Sequence, residues 1–239
     1  DIVYQFWANR DSHEVYYFDP KTDYAPTTAI SSISWDDPNF PNIEGFGVWA
    51  AKCNFTMGPD GKMYSRMLGG NLVRIDVENA RGENLTNGDL VGTKDGSAYG
   101  LVFDPQDENV FYFSNNDKHC IYKYDLRTKE CACWAGQEGK SGYLDGPIGQ
   151  AMFNKPGQMC VDSEGNIILT DTENHCIRKI TMSTGYVSTL AGKPQNSDYV
   201  NGSAEDAQFK KPLGICIDND DVMYIGDSEN RAIRRLAVE

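Results

Sequence analysis

Three residues of types that bind metal ions or transfer protons lie together in one short stretch of this sequence. Asp171, His175 and Cys176 occur within "ILTDTENHCIRKI", residues 168–180, between two apolar runs. Carboxylate, imidazole and thiolate groups are the ligands of zinc sites, and imidazole is the commonest general base. The stretch therefore raises two hypotheses for His175, a metal ligand and a catalytic base. Both depend on whether the stretch is unique.

The stretch is one copy of a repeat. Counterparts begin at four other places, Phe6, Met63, Tyr112 and Ile225. The alignment is anchored on Ile177, and its counterparts are Val15, Leu72, Ile121 and Ile233. The residues six places before the anchors are polar in every copy: Asn9, Arg66, Asn115, Asp171 and Asp227. A position that recurs in every copy is typical of architecture, so the repeat has to be interpreted before any single residue.

The histidines follow the repeat. His119 and His175 share one position, which Arg231 occupies in the last copy. This sharing indicates hydrogen bonds that support the turn between the second and third strands. A zinc site needs three ligands that converge on one point, which two histidines fixed in separate copies do not provide. The sequence therefore predicts no catalytic residue, no metal ligand and no cofactor.

Each copy is flanked by further short apolar runs that end in Asp, Pro or Gly turn residues. Equivalent positions are 46, 58 and 56 residues apart, at Asn54, Gly100, Gln158 and Gly214. Four short strands and one long loop per unit are typical of a β-propeller blade. The sequence thus predicts an all-β propeller of four-stranded blades, without any helix longer than about two turns. First strands are expected near residues 54–58, 100–104, 158–162 and 214–218.

The motif order resembles the NHL repeat, and "NHCIRKITMSTGYVSTLAG" from Asn174 is a close match. The resemblance is strong over residues 98–239 and weak over residues 1–97. Long loops and an acidic composition are similar to NHL-repeat lipoproteins of Bacteroidetes, in which an immunoglobulin-like IPT/TIG domain precedes the propeller. That resemblance implies export to the outer-membrane surface of a Gram-negative bacterium, beside a nutrient-uptake system. The implied partners are a protein of that system or a glycan or peptide ligand.

Five blade signals occur in the chain. By the repeat, residues 1–35 supply the second to fourth strands of one blade, and residues 211–236 supply the first three strands of another. Propellers are latched by strands from both ends in one blade, since an unpaired edge promotes aggregation. We therefore predict a single propeller domain over residues 1–239 that lacks N-terminal strands or an upstream domain. The complete protein is expected to have six blades.

The charge balance argues against nucleic acid as a partner. The chain has 22 Lys and Arg against 35 Asp and Glu, a net charge of −13. Phosphate contacts need clustered basic residues, and the one dense basic run is "RAIRRL", Arg231–Leu236. No apolar run approaches the ~20 residues of a membrane-spanning helix, so no transmembrane segment is predicted.

The cysteines also follow the repeat. Of the seven, Cys160 and Cys216 share one position, and Cys120 and Cys176 share another. Our interpretation is that they are small apolar core residues. The alternative is a metal site formed by Cys131 and Cys133, written together as C-A-C, with a third ligand.

Binding is the function class that the sequence favours. In a propeller, the turn after the second strand and the long loop after the fourth open on the same face. Aromatic and polar residues predicted there are the candidate binding residues: Trp7, Asn9, Trp49, Arg66, Tyr143, Asp171, Tyr199 and Asp227. Aromatic rings flanked by Asp and Asn suit sugar rings or peptide side chains.

A structural role for the same residues remains open. Asp and Asn at strand ends also cap turns, and loop aromatics such as Phe153, Phe209, Tyr143 and Tyr199 also plug the space between blades. Two functions from different classes therefore stand. The first is a non-catalytic surface module that binds a glycan, a peptide or a partner protein. The second is a propeller hydrolase or lyase with a divalent metal in the central tunnel.

Overall fold

The computed structural model of the 239-residue chain describes residues 55–66, 72–85 and 99–237 with their side chains. Before residue 55 it describes Lys21 and the backbone of four strands. The chain divides into two compact units, Asp1–Asp95 and Gly96–Glu239. No helix in the described residues is long and apolar enough to span a bilayer.

The described strands of the first unit form two sheets. The first sheet has the order β1-β2-β3, with β1 at Val3–Asn9, β2 at Ser12–Phe18 and β3 at Pro26–Ile30. The second has the order β4-β8-β7-β6-β5. Its strands are β4 (Ser34–Trp35), β5 (Phe55–Met57), β6 (Met63–Arg66), β7 (Leu72–Asp76) and β8 (Arg81–Asn84). β4 runs parallel to β8, and the other neighbours are antiparallel.

The second unit contains three antiparallel sheets. The first comprises β9 (Leu101–Phe103), β10 (Val110–Asn115), β11 (Cys120–Asp125) and β12 (Cys131–Gly136). The second comprises β13 (Gly146–Pro147), β14 (Pro156–Val161), β15 (Ile167–Asp171), β16 (Cys176–Thr181) and β17 (Tyr186–Ala191). The third comprises β18 (Pro212–Ile217), β19 (Met223–Asp227) and β20 (Ala232–Leu236). We call these sheets blade A, blade B and blade C.

Blades A and B each have four strands that pair in chain order, and β13 adds a short fifth strand against β17. The four predicted first strands correspond to β5, β9, β14 and β18. Within residues 99–237 the helical structure is limited to a 3-10 turn at Thr172–Asn174. The prediction of an all-β propeller built of four-stranded blades is confirmed, whereas the count of six blades stays a prediction.

Apolar contacts between neighbouring blades form the core of the second unit. Every residue of β10 and of β15 is buried. A strand that is covered on both faces has no solvent side, which is why its sequence is apolar on successive residues and does not alternate. The loop residue Phe153 packs between blades A and B, and Phe209 packs between blades B and C. Their interpretation as loop plugs is therefore confirmed.

The strand register supports the choice of anchor residues. A one-residue shift in pairing follows Val15, Ile121 and Ile177, each time where the third strand pairs with the fourth. A bulge at the same place increases the local twist in each sheet. The three anchors therefore hold equivalent positions in the fold.

Two of the aligned polar positions are wrong. Asp171 lies opposite Cys176, one place beyond the pair Thr170–Ile177. Arg66 lies opposite the anchor Leu72, six positions along the chain, whereas Thr170 lies opposite Ile177, seven positions along, so Arg66 matches Thr170. In the first sheet Phe6 lies opposite the anchor Val15. Trp7, and not Asn9, therefore holds the position of Asp171 there.

Candidate functional site

Asp171, at the end of β15, lies at the centre of a buried polar cluster. Its side chain has no solvent exposure. One carboxylate oxygen accepts a hydrogen bond from the backbone N–H of Asn154 at 2.8 Å. The other accepts from Asn174 Nδ2 at 2.9 Å and from Arg178 Nη1 at 2.6 Å. Asp171 therefore fixes both the start of the first strand and the turn after the second.

Arg178 connects this cluster to the long loop before β14. Its Nη1 donates to the carbonyl of Met152 at 3.2 Å, and its Nη2 donates to the carbonyl of Leu144 at 3.0 Å. Nη2 also pairs with Asp145 Oδ1 at 2.6 Å. A guanidinium presents its donors in a rigid planar fork, so this one side chain holds both ends of the loop in place.

Aromatic rings enclose the same guanidinium. The centroids of Tyr143 and Phe153 lie 4.9 and 5.1 Å from Arg178 Cζ. The Tyr143 hydroxyl is hydrogen-bonded to Thr189 Oγ1 on β17 at 2.7 Å. Asp145 accepts a hydrogen bond from the backbone N–H of Thr189 at 3.1 Å. Tyr143 and Asp145 therefore attach the loop to the fourth strand.

Blade C repeats the cluster. Asp227 is fully buried, accepts from the backbone N–H of Lys210 at 2.7 Å and from Asn230 Nδ2 at 2.8 Å, and pairs with Arg234 Nη1 at 3.0 Å. Arg234 donates to the carbonyls of Gln208 and Val200 in the next long loop. The same sequence pattern therefore forms the same loop anchor twice.

The aromatic part of the anchor differs in exposure between the two copies. Arg234 Cζ lies 4.7 Å from the centroid of Tyr199 and 5.0 Å from that of Phe209. Phe209 is buried, whereas 52% of Tyr199 is exposed. Tyr199 therefore combines a ring fixed on a cation with a surface that is open to solvent.

The charges within the cluster are satisfied. Burial raises the pKa of Asp171 to about 6, with Arg178 acting in the opposite direction, so the carboxylate is ionised at pH 7. Burial lowers the pKa of Arg178, but Asp171 and Asp145 outweigh it and hold that pKa above its usual value. The result is a closed ion pair that offers no free carboxylate to a substrate.

The two histidines link neighbouring blades. The backbone N–H of Lys155 donates to His119 Nδ1 at 3.1 Å, and that of Lys211 donates to His175 Nδ1 at 3.2 Å. Both histidines have a left-handed backbone, with φ of 55° and 59°. Both rings accept hydrogen bonds, but the donors lie at the start of the following blade and not in the turn between the second and third strands, where they were expected. Burial lowers the pKa of both rings.

The structure gathers four of the eight candidate binding residues into these anchors. Tyr143 joins Asp171 through Arg178, and Tyr199 joins Asp227 through Arg234. Arg66 is buried in β6 of the first unit. Trp7 and Asn9 lie in β1, which is described by its backbone alone, and Trp49 lies outside the described residues.

The residues that sequence reasoning missed are the two arginines at the centres of the loop anchors. A signal was present, because Arg178 and Arg234 directly follow the isoleucines used to align the repeat, in "IRKI" and "IRRL". A basic residue that recurs seven places after a recurring Asp indicates an ion pair across the hairpin. The pairs Asp171–Arg178 and Asp227–Arg234 are of this kind.

We use the term loop face for the end of the second unit formed by the two long loops, residues 137–155 and 193–211, and the turns after β15 and β19. Leu144 and Tyr199 are the exposed large hydrophobic side chains among its described residues. Lys211 bridges two of the turns, with Glu173 at 3.5 Å and Glu229 at 3.0 Å. The loop face is thus rigidly held and carries an aromatic ring and an aliphatic side chain among charged groups.

Comparison with known proteins finds a family match to part of the repeat region. The NHL repeat family matches residues 153–180, which include Phe153, Asp171, His175 and Arg178. The chain is 28% identical over 173 residues to Protein SUPPRESSOR OF QUENCHING 1, chloroplastic, of Arabidopsis thaliana. That match covers 69% of this chain and 16% of the relative.

Two crystal structures from Bacteroides thetaiotaomicron share the fold. One, a structural genomics protein of unknown function, is 25% identical with a TM-score of 0.83 over 100% of this chain and 56% of its own. The other, described as an auxiliary nutrient binding protein, is 24% identical with a TM-score of 0.72 over 99% of this chain and 56% of its own. The sequence therefore spans just over half of either chain.

Proposed function

We propose that this NHL-repeat chain is a non-catalytic binding module whose loop face contacts a glycan, a peptide or a partner protein. One observation carries the proposal. The two candidate carboxylates, Asp171 and Asp227, form buried ion pairs with the arginines that hold the long loops. Leu144 and Tyr199, which lie on those long loops, are exposed.

The rigidity of the loop face favours binding. Each long loop is fixed by an arginine that donates to two of its carbonyl groups. A surface that is ordered before it meets a ligand loses less conformational entropy on binding. Tyr199 adds a flat apolar ring with a polar tip, which suits sugar rings and peptide side chains.

The proposed setting is the outer-membrane surface of a Gram-negative bacterium, with a protein of a nutrient-uptake system as partner. The fold shared with a chain described as an auxiliary nutrient binding protein supports this setting. The alternative, a propeller hydrolase or lyase with a divalent metal in the tunnel, stays a prediction.

A binding screen of the purified chain against glycan and peptide libraries tests the proposal, with calcium and with a chelator in parallel. We expect ligands whose binding is unchanged by the chelator. Tyr199→Ala should weaken that binding at least about tenfold, since loss of a central interface aromatic costs more than about 1.4 kcal/mol. Binding that depends on calcium, together with turnover of the ligand, would instead support the alternative.

Tyr186 provides a matched control. Its exposed fraction, 47%, is close to that of Tyr199, but it lies at the start of β17 beside Pro147, at the end of that strand away from the turn after β15. Tyr186→Ala should leave binding unchanged. If the two variants lose affinity equally, the ligand does not bind at the loop face.

A further inference from the structure

Blade A departs from the charged anchor that blades B and C share. In blade B, Arg178 lies opposite Thr189, whose hydroxyl holds the long loop through Tyr143. In blade A, the corresponding pair is Tyr122 and Cys133. A tyrosine therefore replaces the arginine, and a thiol replaces the hydroxyl on the fourth strand. Sites that break the pattern of a fold are expected to be functional or strained.

The strand register brings Cys133 close to Cys120. Both side chains lie on one face of the sheet, because Tyr122, opposite Cys133, is two residues from Cys120. Trp134 has no partner on β11, and this bulge puts Gly136 opposite Cys120. The Cys133 thiol donates to the Gly136 carbonyl oxygen at 3.8 Å, so it lies toward Cys120 along the strand. There the Cys120 thiol hydrogen-bonds the Cys133 sulfur.

The two thiols differ in exposure and acidity. Cys120 is buried, whereas Cys133 is partly exposed. The hydrogen bond from Cys120 lowers the pKa of the Cys133 thiol, against the effect of burial. The same hydrogen bond, together with burial, raises the pKa of the Cys120 thiol. Because the thiolate is the nucleophilic form, Cys133 reacts first and Cys120 is the resolving thiol beside it.

Blade B contains a natural reference for this pair. Cys176 is the buried counterpart of Cys120, but Thr189 holds the place of Cys133 there. Burial raises the pKa of the Cys176 thiol well above its usual value. In the part of the chain that the structure describes, no group of three His, Cys, Asp or Glu side chains is placed to hold a metal ion. The described side chains therefore favour a thiol pair over a zinc site.

We propose that Cys120 and Cys133 are a redox-active pair that closes to a disulfide by exchange with a small-molecule disulfide. After Cys133 loses its proton to water, its thiolate attacks one sulfur of the oxidant, which forms a mixed disulfide and releases one small thiolate. Cys120 then gives its proton to water and attacks Cys133 Sγ, which releases the second small thiolate. The protein loses two protons and two electrons, and the oxidant takes up both as it becomes two thiols.

The disulfide would act on the first residues of the loop face. The backbone N–H of Glu138 hydrogen-bonds Cys133, and that of Gly139 donates to the carbonyl of Lys118 at 2.8 Å, just before β11. A covalent bond between β11 and β12 would close this end of the hairpin and fix the start of the long loop 137–155. Oxidation should therefore raise the melting temperature of the chain.

Oxidation by glutathione disulfide tests the proposal. The reduced, folded chain is incubated with the oxidant, quenched with acid, alkylated and digested with trypsin. The two cysteines then lie in peptides 119–123 and 130–140, each of which ends at a lysine. We expect a disulfide between these peptides, detected by mass spectrometry as a product about 2 Da lighter than the sum of the two reduced peptides.

Three variants identify the partners, after circular dichroism has confirmed the fold of each. Peptide 130–140 also contains Cys131, so the link should persist in Cys131→Ser and be absent from Cys133→Ser. Cys120→Ala removes the resolving thiol and should stop the reaction at the mixed disulfide, with glutathione bound to Cys133. Cys176 should stay reduced in every sample, because it is buried and a hydroxyl takes the place of the second thiol.

Three outcomes would overturn the proposal. The first is a parent chain in which Cys133 stays unmodified or keeps its glutathione, which would mean that Cys120 does not resolve it. The second is a link that persists in Cys133→Ser, which would make Cys131 the partner. The third is oxidation of Cys176 as fast as that of Cys133, which would show that the pair has no special reactivity.

Discussion

Blades B and C have nearly the same anchor but differ in what surrounds it. Asp171–Arg178 and Asp227–Arg234 make the same ion pair, and each arginine holds the preceding long loop. The pair in blade C forms although no described fourth strand lies beside β20. Three strands and a loop are therefore enough to build the anchor. The fourth strand and the next blade determine how much of it is buried.

The largest expected effect is on the buried ion pair of blade B. Arg178→Met removes the countercharge of the buried Asp171 carboxylate, which must then stay unpaired or take up a proton, and this should lower the free energy of unfolding by about 3–5 kcal/mol. Urea unfolding followed by circular dichroism measures this loss. Arg178 makes an additional pair with Asp145, so Arg234→Met should cost less.

Lys179→Met is the control for that substitution. Lys179 is the neighbour of Arg178 and pairs with Asp162 and Glu164 near the surface. The Lys179 side chain is 25% exposed and Glu164 lies in solvent, so this variant should lose far less stability than Arg178→Met. Equal losses for Arg178→Met and Lys179→Met would mean that the buried pair does not hold the loop.

The second comparison concerns two isoleucines at one repeat position. Ile177→Ala opens a cavity between blades B and C and should cost about 2–5 kcal/mol. Ile233→Ala in the 239-residue chain should change stability by less than about 0.5 kcal/mol, because the side chain is already exposed. Thermal and urea unfolding of both variants measure the difference. A cost for Ile233→Ala near that for Ile177→Ala would show that the Ile233 side chain is covered within this chain.

The sequence predicted the strands of the second unit well because each strand has the same local signal in every copy. The apolar runs after Gln158 and Gly214 each end at an Asp that begins a turn, and β14 and β18 include these runs. The two histidines do make equivalent contacts, as their shared repeat position predicts, but the sequence did not show that the partners belong to the following blade.

The positions of Asn9 and Arg66 could not be predicted by counting from the anchor. The anchor residue and the residue opposite it are spaced differently along the chain in these two sheets and in blade B. A fixed count back from the anchor therefore reaches a different position on the second strand in each sheet. The arginine anchor was missed for another reason. Arg178 lies in a predicted strand among charged residues, and sequence alone does not show that a loop some thirty residues upstream folds over it.

The third prediction concerns His175, whose ring contacts the start of blade C, and separates its effect on stability from any effect on ligand binding. His175→Gln removes an acceptor for the backbone N–H of Lys211 and should cost about 1 kcal/mol. Ligand binding should persist, because the ring points toward the next blade. Equilibrium unfolding and a binding titration of the same preparation measure both. A folded variant that has lost all binding would show that His175 belongs to the ligand site.

The same histidines give stability a pH dependence. Burial lowers the pKa of His119 and His175 in the folded chain, and around His175 the carboxylates of Glu173, Glu229 and Asp227 act against it while Lys211 adds to it. A lowered folded pKa favours the neutral ring, so the stabilisation is complete above the unfolded pKa of about 6.5. It is lost as pH falls from there through the folded pKa. The double variant His119→Gln and His175→Gln should show a flatter stability profile below pH of about 6.5.

The smallest expected effect compares the two tyrosines of the anchors. Tyr143→Phe removes the hydrogen bond to Thr189 while the ring stays over Arg178, so it should cost about 0.5–1.5 kcal/mol. Tyr199→Phe keeps the ring over Arg234 and loses a hydroxyl that is open to solvent, so it should be neutral in the 239-residue chain. Urea unfolding of both variants and of the parent chain measures the difference. Equal losses for Tyr143→Phe and Tyr199→Phe would show that the Tyr199 hydroxyl has a hydrogen-bond partner within this chain.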